Sequence, residues 1–247
     1  MAMPSGRVKA WLGRVFQSLP DGIAKRALRH AFLRLTGRVP LSLLVSKGDT
    51  LVSVGEPYPD NVDTYAYSVG SEGRVILVEP EEQNVKNLRA HIESRSYANV
   101  TVVPKGAWNA KGQQTLLLSE GVSAHRLKVE DITHYNDLGG YEGSTVIEVD
   151  TIDNLMKELD VGSVDFMTIT VNGMELQVLE GGERTLPRTR WLFVVGRGRR
   201  TDTGVSINGE IAAFLRERGF ITYITPPRQK LQGWGIVDGD VYAWRRD

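Results

Sequence analysis

Residues 48–82 read GDTLVSVGEPYPDNVDTYAYSVGSEGRVILVEPEE. An apolar run over 51–54 leads into a Gly- and Pro-rich turn at 55–59, and a helix is expected over 60–69. A second apolar run at 75–78 ends on Glu79-Pro80. Short apolar runs bounded by turn residues are strands. Strand, tight loop, helix, strand and acid, in that order, is the layout by which open α/β sheets hold a nucleotide. The loop passes under the ligand, and the carboxylate at the second strand's tip takes two ribose hydroxyls. Glu79 follows four apolar strand residues, which places it at the carboxyl end of its strand, the edge where such sheets bind ligands.

Outward from this stretch the chain keeps alternating. Strands are expected at 50–54, 74–78 and 100–103. Between the last two lies a helix over 81–94 with an acidic first turn, which suits the helix dipole. Residues 113–118 and 145–149 read as two additional strands, a side hairpin. A short helix at 152–159, a strand at 164–170, a helix at 175–186 stopped by Pro187 and a strand at 191–195 follow. A helix over 207–218 ended by Gly219, a strand at 220–225 and a closing strand at 240–244 complete the chain. Strands separated by helices give a parallel sheet covered on both faces. The last two strands, joined without a helix, pair antiparallel. The fold class is therefore α/β, a Rossmann-like, mostly parallel seven-stranded sheet with an antiparallel last strand. No internal repeat and no second domain stands out.

At 247 residues the chain suits one α/β domain with an extension, and a formal net charge of +0 gives no global field that calls for nucleic acid. The absence of cysteine excludes disulfides, thiolate metal sites and cysteine nucleophiles. Four histidines without an HExxH pair give a metal site little support, so none is expected. No apolar run is long enough to span a bilayer, and the expected location is cytoplasmic.

The charge is unevenly spread. Residues 1–40 carry Arg7, Lys9, Arg14, Lys25, Arg26, Arg29, Arg34 and Arg38 against the single acid Asp21. Within this arm Val8, Trp11, Leu12, Val15, Phe16 and Leu19 fall on one helical face. Leu19-Pro20-Asp21-Gly22 breaks that helix, and a second is expected over 23–35. Three readings stand for the arm. It is a helical segment docked on the domain formed by 41–247, a basic amphipathic segment making peripheral contact with an anionic membrane surface, or an organellar transit peptide.

Four segments together carry a family resemblance. GDTLVSVGE (48–56) is similar to the pattern GD-x-x-x-DVGAN-x-G, and GRVILVEPEEQNVKNLRAHI (73–92) to a second strand and helix with an EP pair. NVTVVPKGAWNAKGQQTL (99–116) is similar to a strand followed by a small-residue turn and a short strand. VDTIDNLMKELDVGSVDFMTITVNGMELQVLEGG (149–182) resembles T-[IL]-D-x-L…D-x-[IL]-K-[IL]-D-[VI]-E-G-x-E-x-x-V-L-x-G, the longest and most specific of the four. Over roughly residues 43–224 the sequence resembles the FkbM family of S-adenosylmethionine-dependent methyltransferases. The resemblance implies the methyltransferase variant of the Rossmann-like fold, S-adenosylmethionine as cofactor, and methyl transfer to a hydroxyl of a polyketide, sugar or other small metabolite.

It also implies roles by position. Gly55 lets the backbone approach the methionine part of the cofactor, with Ser53 and Glu56 beside it. Glu79, followed by Pro80, accepts from the ribose hydroxyls. The turn at 105–108, with Gly106, Ala107 and Trp108, flanks the adenine, Trp108 being either a stacking face or an ordinary aromatic.

The chain departs from the pattern at the reacting end. Ser53 replaces the strand-one Asp, and Glu56-Pro57-Tyr58-Pro59 replaces Ala-Asn-x-Gly. Two prolines remove amide donors, and Glu56 brings a negative charge near the cofactor's carboxylate unless it turns toward the methionine ammonium. Lys-x-Asp-x-Glu-Gly becomes Thr-Ile-Thr-Val-Asn-Gly over 168–173. Thr170 and Asn172 can hydrogen-bond a substrate but take no proton near neutral pH. Glu175 keeps its carboxylate, as a catalytic group or as a helix N-terminal acid.

The polar insert at 119–144 reads as a mobile substrate cover. It holds the available imidazoles, His125 and His134, with His125 the candidate catalytic residue. After the fifth strand, GRGRRT (196–201) sets Arg197, Arg199 and Arg200 at the ligand edge, either to hold an acceptor bearing phosphate or carboxylate or as a solvated turn. No RNA-binding motif accompanies them. Two functions remain: an O-methyltransferase acting on a small molecule or glycan, and a catalytically silent relative that binds a partner.

Overall fold

In the computed structural model, which describes residues 15–16, 18–20, 22–119, 125–127, 131–134, 140–229, 236–237 and 239–245, the arm supplies α1 (Ile23–Thr36) and the single turn α2 (Leu41–Leu44). The chain continues as β1 (Thr50–Val54), α3 (Pro59–Val69), β2 (Arg74–Val78), α4 (Glu82–Arg95) and β3 (Val100–Val103). Next come β4 (Gly106–Ala107), β5 (Gly112–Leu118), β6 (Arg126–Leu127), β7 (Ile132–His134) and β8 (Gly143–Asp150). After α5 (Ile152–Glu158) follow β9 (Val164–Ile169), α6 (Glu175–Glu180), β10 (Thr189–Val194) and β11 (Gly198–Arg200). The last elements are α7 (Asn208–Glu217), β12 (Ile221–Ile224), β13 (Arg228–Gln229), β14 (Ile236–Val237) and β15 (Val241–Trp244).

Seven strands form the central sheet in the order β12-β15-β10-β9-β1-β2-β3. The five from β10 to β3 run parallel, and β15 is antiparallel to both β10 and β12. This is the sheet expected from the alternation of runs and helices. The expected side hairpin is present as antiparallel β5 and β8, extended by β4 and β6 into a four-stranded sheet. Side chains alternate across the main sheet. One buried cluster holds Val52, Val54, Ile76, Val78, Ile169 and Leu192. The other holds Leu51, Val75, Leu77, Phe166, Trp191 and Tyr242, packed with Val62 and Val69 of α3, Leu33 and Val39 of the arm, and Leu43 of α2.

Local chemistry moves several boundaries. Pro59, expected as the end of a turn, is the first residue of α3, because its fixed φ suits that position and its missing N–H has no helical partner there anyway. Glu81 caps α4 rather than entering it, accepting from the Gln83 and Asn84 amides at 3.0 and 2.7 Å. The helix expected over 175–186 stops at Glu180. There the backbone of Trp108 presses on Gly181, where an added Cβ would lie 2.1 Å from the Trp108 carbonyl oxygen.

The arm's α1 lies against the Trp191/Trp244 face. Lys25 Nζ donates to Ser46 Oγ at 3.1 Å and Arg29 Nε to the Leu43 carbonyl at 2.6 Å. The Arg29 guanidinium also sits 5.1 Å from the Trp191 ring. The apolar positions Val8, Trp11 and Leu12 lie outside the described residues. Among the described residues no helix is long and apolar enough to cross a membrane.

The Thr-Ile-Asp run at 151–153 is structural. Thr151 Oγ1 caps α5 by accepting from the Asn154 amide at 3.1 Å, and Ile152 is buried. Asp153 accepts from the Thr185 amide and hydroxyl at 2.8 and 2.7 Å and from the Arg184 amide at 2.9 Å, closing the turn after α6. Burial acts to raise this carboxyl, but the hydrogen bonds win and hold it below the usual carboxylate range. Asp153 therefore contributes stability that is present above the unfolded-chain value and lost as pH falls through the lower folded value. Asp153→Asn is expected to cost about 2 kcal/mol at pH 7, read by urea unfolding, with the deficit shrinking below pH 4. A deficit independent of pH would contradict this role.

Candidate functional site

The site is built where β1, β2, β9 and β10 end. Register aligns Leu77, Ser53, Thr168, Phe193 and Tyr242 in one row across the sheet, all on one face. Ser53 and Thr168 are small and polar where a packed interior would be filled by large apolar side chains. They open a space beneath α3 and the arm. Gly55 then leaves β1 with φ +77°, and an added Cβ would lie 2.1 Å from the Thr170 carbonyl oxygen. Only glycine admits that approach. The Gly55 amide donates to the Val78 carbonyl at 2.8 Å and the Thr170 amide to the Val54 carbonyl at 2.9 Å, so the three strand ends are tied together.

Glu56 turns inward. Its Oε2 accepts from Ser53 Oγ at 3.0 Å and from the Tyr65 hydroxyl at 2.8 Å. Its Oε1 accepts from the Tyr58 amide at 3.1 Å and Asn61 Nδ2 at 3.0 Å. These four bonds match the lone-pair capacity of a carboxylate and join β1 to the first turns of α3. Burial and the neighbouring Glu56 charge push the Tyr65 phenol up, so it stays a donor.

Glu79 sits at the tip of β2 and is nearly fully buried. Its Oε1 accepts from the Glu81 amide at 3.0 Å and from Asn84 Nδ2 at 3.2 Å. No hydrogen bond among the described residues falls on Oε2. Burial pushes its carboxyl up to about 7, aided by the charges of Glu81 and Glu56 and opposed by those two hydrogen bonds. Asn84 went unnoticed in the sequence, where a polar residue inside a helix gives no sign of facing a site.

Beyond β9, Asn172 has φ +56°, a conformation that Asn tolerates. It donates from Nδ2 to the His125 carbonyl at 2.8 Å. The His125 Nδ1 accepts from the Ser119 amide at 3.1 Å. That fixes the proton of the neutral ring on Nε2, and burial holds the imidazole below its usual value. In this state His125 offers a donor, not a base. Glu175 is fully buried with Oε1 accepting from the Gly173 amide at 3.1 Å. Burial raises its carboxyl to about 7, against its backbone hydrogen bonds and the Arg197 charge.

A cavity of about 650 Å³ joins these groups. Of the residues singled out in the sequence, Ser53, Gly55, Glu56, Glu79, Pro80, Gly106, Ala107, His125, Thr170, Asn172 and Arg197 line it. Trp108, Glu175, Arg199 and Arg200 do not. The Trp108 ring packs against the core, and Arg200 is held by Glu210 and Asp131. Arg199 donates to the Gly204 carbonyl at 2.7 Å. The side chain of His134 lies outside the described residues. The cavity adds residues the sequence did not flag: Arg38 from the arm, Arg126 from the side sheet, Asp240 before β15, and the aromatic pair Phe193 and Tyr242. Asp240 and Arg197 form an ion pair at 2.7 Å. Residues from four separate chain regions meet there, and no local spacing announces such a convergence.

Known proteins resemble this chain in sequence pattern and in fold. A family model described as Methyltransferase FkbM domain matches residues 53–222. No curated protein matches the chain. Among solved structures the chain is similar to a methyltransferase FkbM from Methylobacillus flagellatus KT, at 15% identity and a TM-score of 0.54, over 85% of this chain and 46% of that one. It thus spans less than half the length of that relative. It is also similar to the fibrillarin of Aeropyrum pernix, solved with natively bound S-adenosyl-L-methionine, at 14% identity and a TM-score of 0.49, over 87% of this chain and 73% of that one.

Two tests follow from the site's packing and titration. Gly55→Ala should cost at least about 2 kcal/mol in thermal or urea unfolding, from the left-handed φ and the contact with Thr170. Glu175 has a folded value above that of the free chain. Its contribution to stability is therefore full below about pH 4.5 and lost as pH rises through about 7. Glu175→Gln lacks this titration, so its stability should gain on wild type across that window by on the order of 2–3 kcal/mol. Parallel pH profiles would show that Glu175 does not titrate there.

Proposed function

Because the chain belongs to the FkbM methyltransferase family, we propose that it transfers a methyl group from S-adenosylmethionine to a hydroxyl of a small metabolite or glycan. The observation that carries this reading is Glu79, a buried carboxylate at the tip of β2, lining the cavity with one oxygen positioned by Asn84 and the Glu81 amide. The donor set fits the cofactor. Glu79 would accept from the ribose hydroxyls, while Gly106, Ala107, Leu116 and Ile147 give the base small and apolar walls. Bound there, the cofactor supplies a methyl group on a positive sulfur, open to in-line displacement.

The remaining lining residues handle the acceptor. Thr170 and the Nε2–H of His125 orient its hydroxyl, and much of the acceleration comes from holding the two reactants in line. The acceptor oxygen would take the methyl group, with the departing sulfur keeping the bonding pair, while Thr170 and His125 hold that oxygen in place. The hydroxyl proton goes to Asp240. Glu56 is saturated by four donors and Glu79 is engaged with the ribose, which leaves Asp240 among the cavity's described carboxylates. Arg197 fixes Asp240 at 2.7 Å and, with Arg126, favours an acceptor bearing phosphate or carboxylate.

A second reading, a silent relative that binds without turnover, draws on one observation: Thr170 and Asn172 take no proton, and Glu175 is withdrawn from the cavity. Conversion of S-adenosylmethionine to S-adenosylhomocysteine in the presence of hydroxylated anionic acceptors separates the two readings.

Calorimetric titration is expected to show binding of S-adenosylmethionine and S-adenosylhomocysteine. Glu79→Ala should weaken it by roughly 1–3 kcal/mol. An ionised carboxylate accepts from both hydroxyls better than the acid, so wild-type affinity should rise as pH passes through about 7, while Glu79→Gln stays flat. No binding at high micromolar cofactor would end the proposal.

A further inference from the structure

The loop at residues 55–59 is where this chain departs most from a nucleotide loop, and the structure shows what the departure does to the ligand's amino-acid end. A cofactor carboxylate at this position needs amide donors or a cation. Gly55 has spent its amide on the Val78 carbonyl at 2.8 Å. Pro57 and Pro59 have none. Tyr58 gives its amide to Glu56 Oε1 at 3.1 Å. Of the five loop residues only Glu56 keeps an amide without a hydrogen bond among the described residues. The next residue, Asp60, carries a carboxylate of its own in the first turn of α3.

The charge beneath the loop points the same way. Glu56 is buried and held by four neutral donors, two hydroxyls, an amide and a carboxamide. Neutral donors stabilise a carboxylate without cancelling its charge, and a buried charge is screened less than one in solvent. Glu79 adds a second carboxyl on the neighbouring strand. The cavity's arginines stand on other elements: Arg38 on the arm, Arg126 on the side sheet and Arg197 after β10. The end of β1 therefore sets a carboxylate beneath the loop and leaves few loop amides for a negative group.

Resting on the cofactor reading above, we propose that this site recognises the sulfonium and the ammonium of its S-adenosyl ligand and not the carboxylate, so that it accepts an S-adenosyl donor whose side chain is a simple aminopropyl group. S-adenosylmethionine carries a net charge of about +1 near neutral pH, with its carboxylate ionised, and the decarboxylated compound about +2. The second matches the field of Glu56 and Glu79 better than the first. Glu56 is thus a positioning and selectivity residue. It shapes the loop through its four bonds and sets the charge the ligand meets.

The test is calorimetric titration of the full chain at pH 8 with S-adenosylmethionine and with decarboxylated S-adenosylmethionine. The expected result is that the decarboxylated compound binds as tightly or more tightly. S-adenosylmethionine binding about tenfold tighter or more would overturn the inference and leave the cofactor reading standing, since that is the gain expected from a carboxylate met by charge-assisted donors. If neither binds, both fall. Glu56→Gln supplies a second measurement, because the ratio of the two affinities is internal to one protein. The ratio should move toward S-adenosylmethionine, and an unchanged ratio would overturn the assignment of the selectivity to Glu56.

Discussion

A single buried carboxylate governs the geometry of this site. Glu56 takes a hydroxyl from β1, an amide from its own loop and two side chains from successive turns of α3. Breaking any of these would leave a buried charge short of a partner, at a cost of roughly 1–3 kcal/mol. The four bonds therefore fix the start of α3 against the end of β1. That position determines where Tyr58, Asn61 and Tyr65 enter the cavity. Two prolines suit the arrangement, because a loop organised around an internal acceptor gains from restricted φ and loses little from missing amides.

The same carboxylate casts the altered motif in a different light. In the pattern the sequence resembles, position 53 is Asp and position 168 is Lys. β1 and β9 place these two positions directly opposite each other. An acid and a lysine there would face each other, and in this chain both positions hold small neutral polar side chains, Ser53 and Thr168. Removing both members of a buried pair is close to neutral in stability, whereas removing one strands a charge at about 3–5 kcal/mol. The negative charge then returns three residues later as Glu56, whose Oε2 sits 3.0 Å from Ser53 Oγ.

The sheet was legible in the sequence because its signals are local. Apolar runs of four to six residues, glycine and proline stops and acidic helix starts fixed seven strands, and the missing helix before β15 gave its direction. Glu79 was legible for the same reason, since the tip of a strand in this layout is a ligand position wherever it occurs. What stayed hidden depends on contacts between distant segments. Arg38, Arg126 and Asp240 reach one cavity from the arm, the side sheet and the far edge of the main sheet. Arg199 and Arg200 share a motif with Arg197, but Arg199 donates to the Gly204 carbonyl at 2.7 Å. β11 pairs with β7 and turns Arg200 toward Glu210 and Asp131, leaving Arg197 alone of the three at the cavity. The family block around Thr151 and Asp153 was conspicuous for a different reason: it closes a turn and caps a helix, and such demands restrict residue type as tightly as chemistry does.

The distribution of charge ties the two ends of the cavity together. Glu56 and Glu79 stand at the ends of β1 and β2, while Arg38, Arg126 and Arg197 line the walls contributed by other elements. Asp240 lines the same cavity and pairs with Arg197 at 2.7 Å, so both signs of charge meet in one partly enclosed space. On the proposed reading a sulfonium donor would be drawn to Glu56 and Glu79 and an anionic acceptor to the arginines. That distribution would suit the proposed transfer, in which the donor loses its positive charge and the acceptor gives up a proton. It also gives the arm a part in the site, since Arg38 and Val39 follow directly on the Gly37 cap of α1, and Val39 is fixed by its amide donating to the Tyr242 hydroxyl at 3.2 Å.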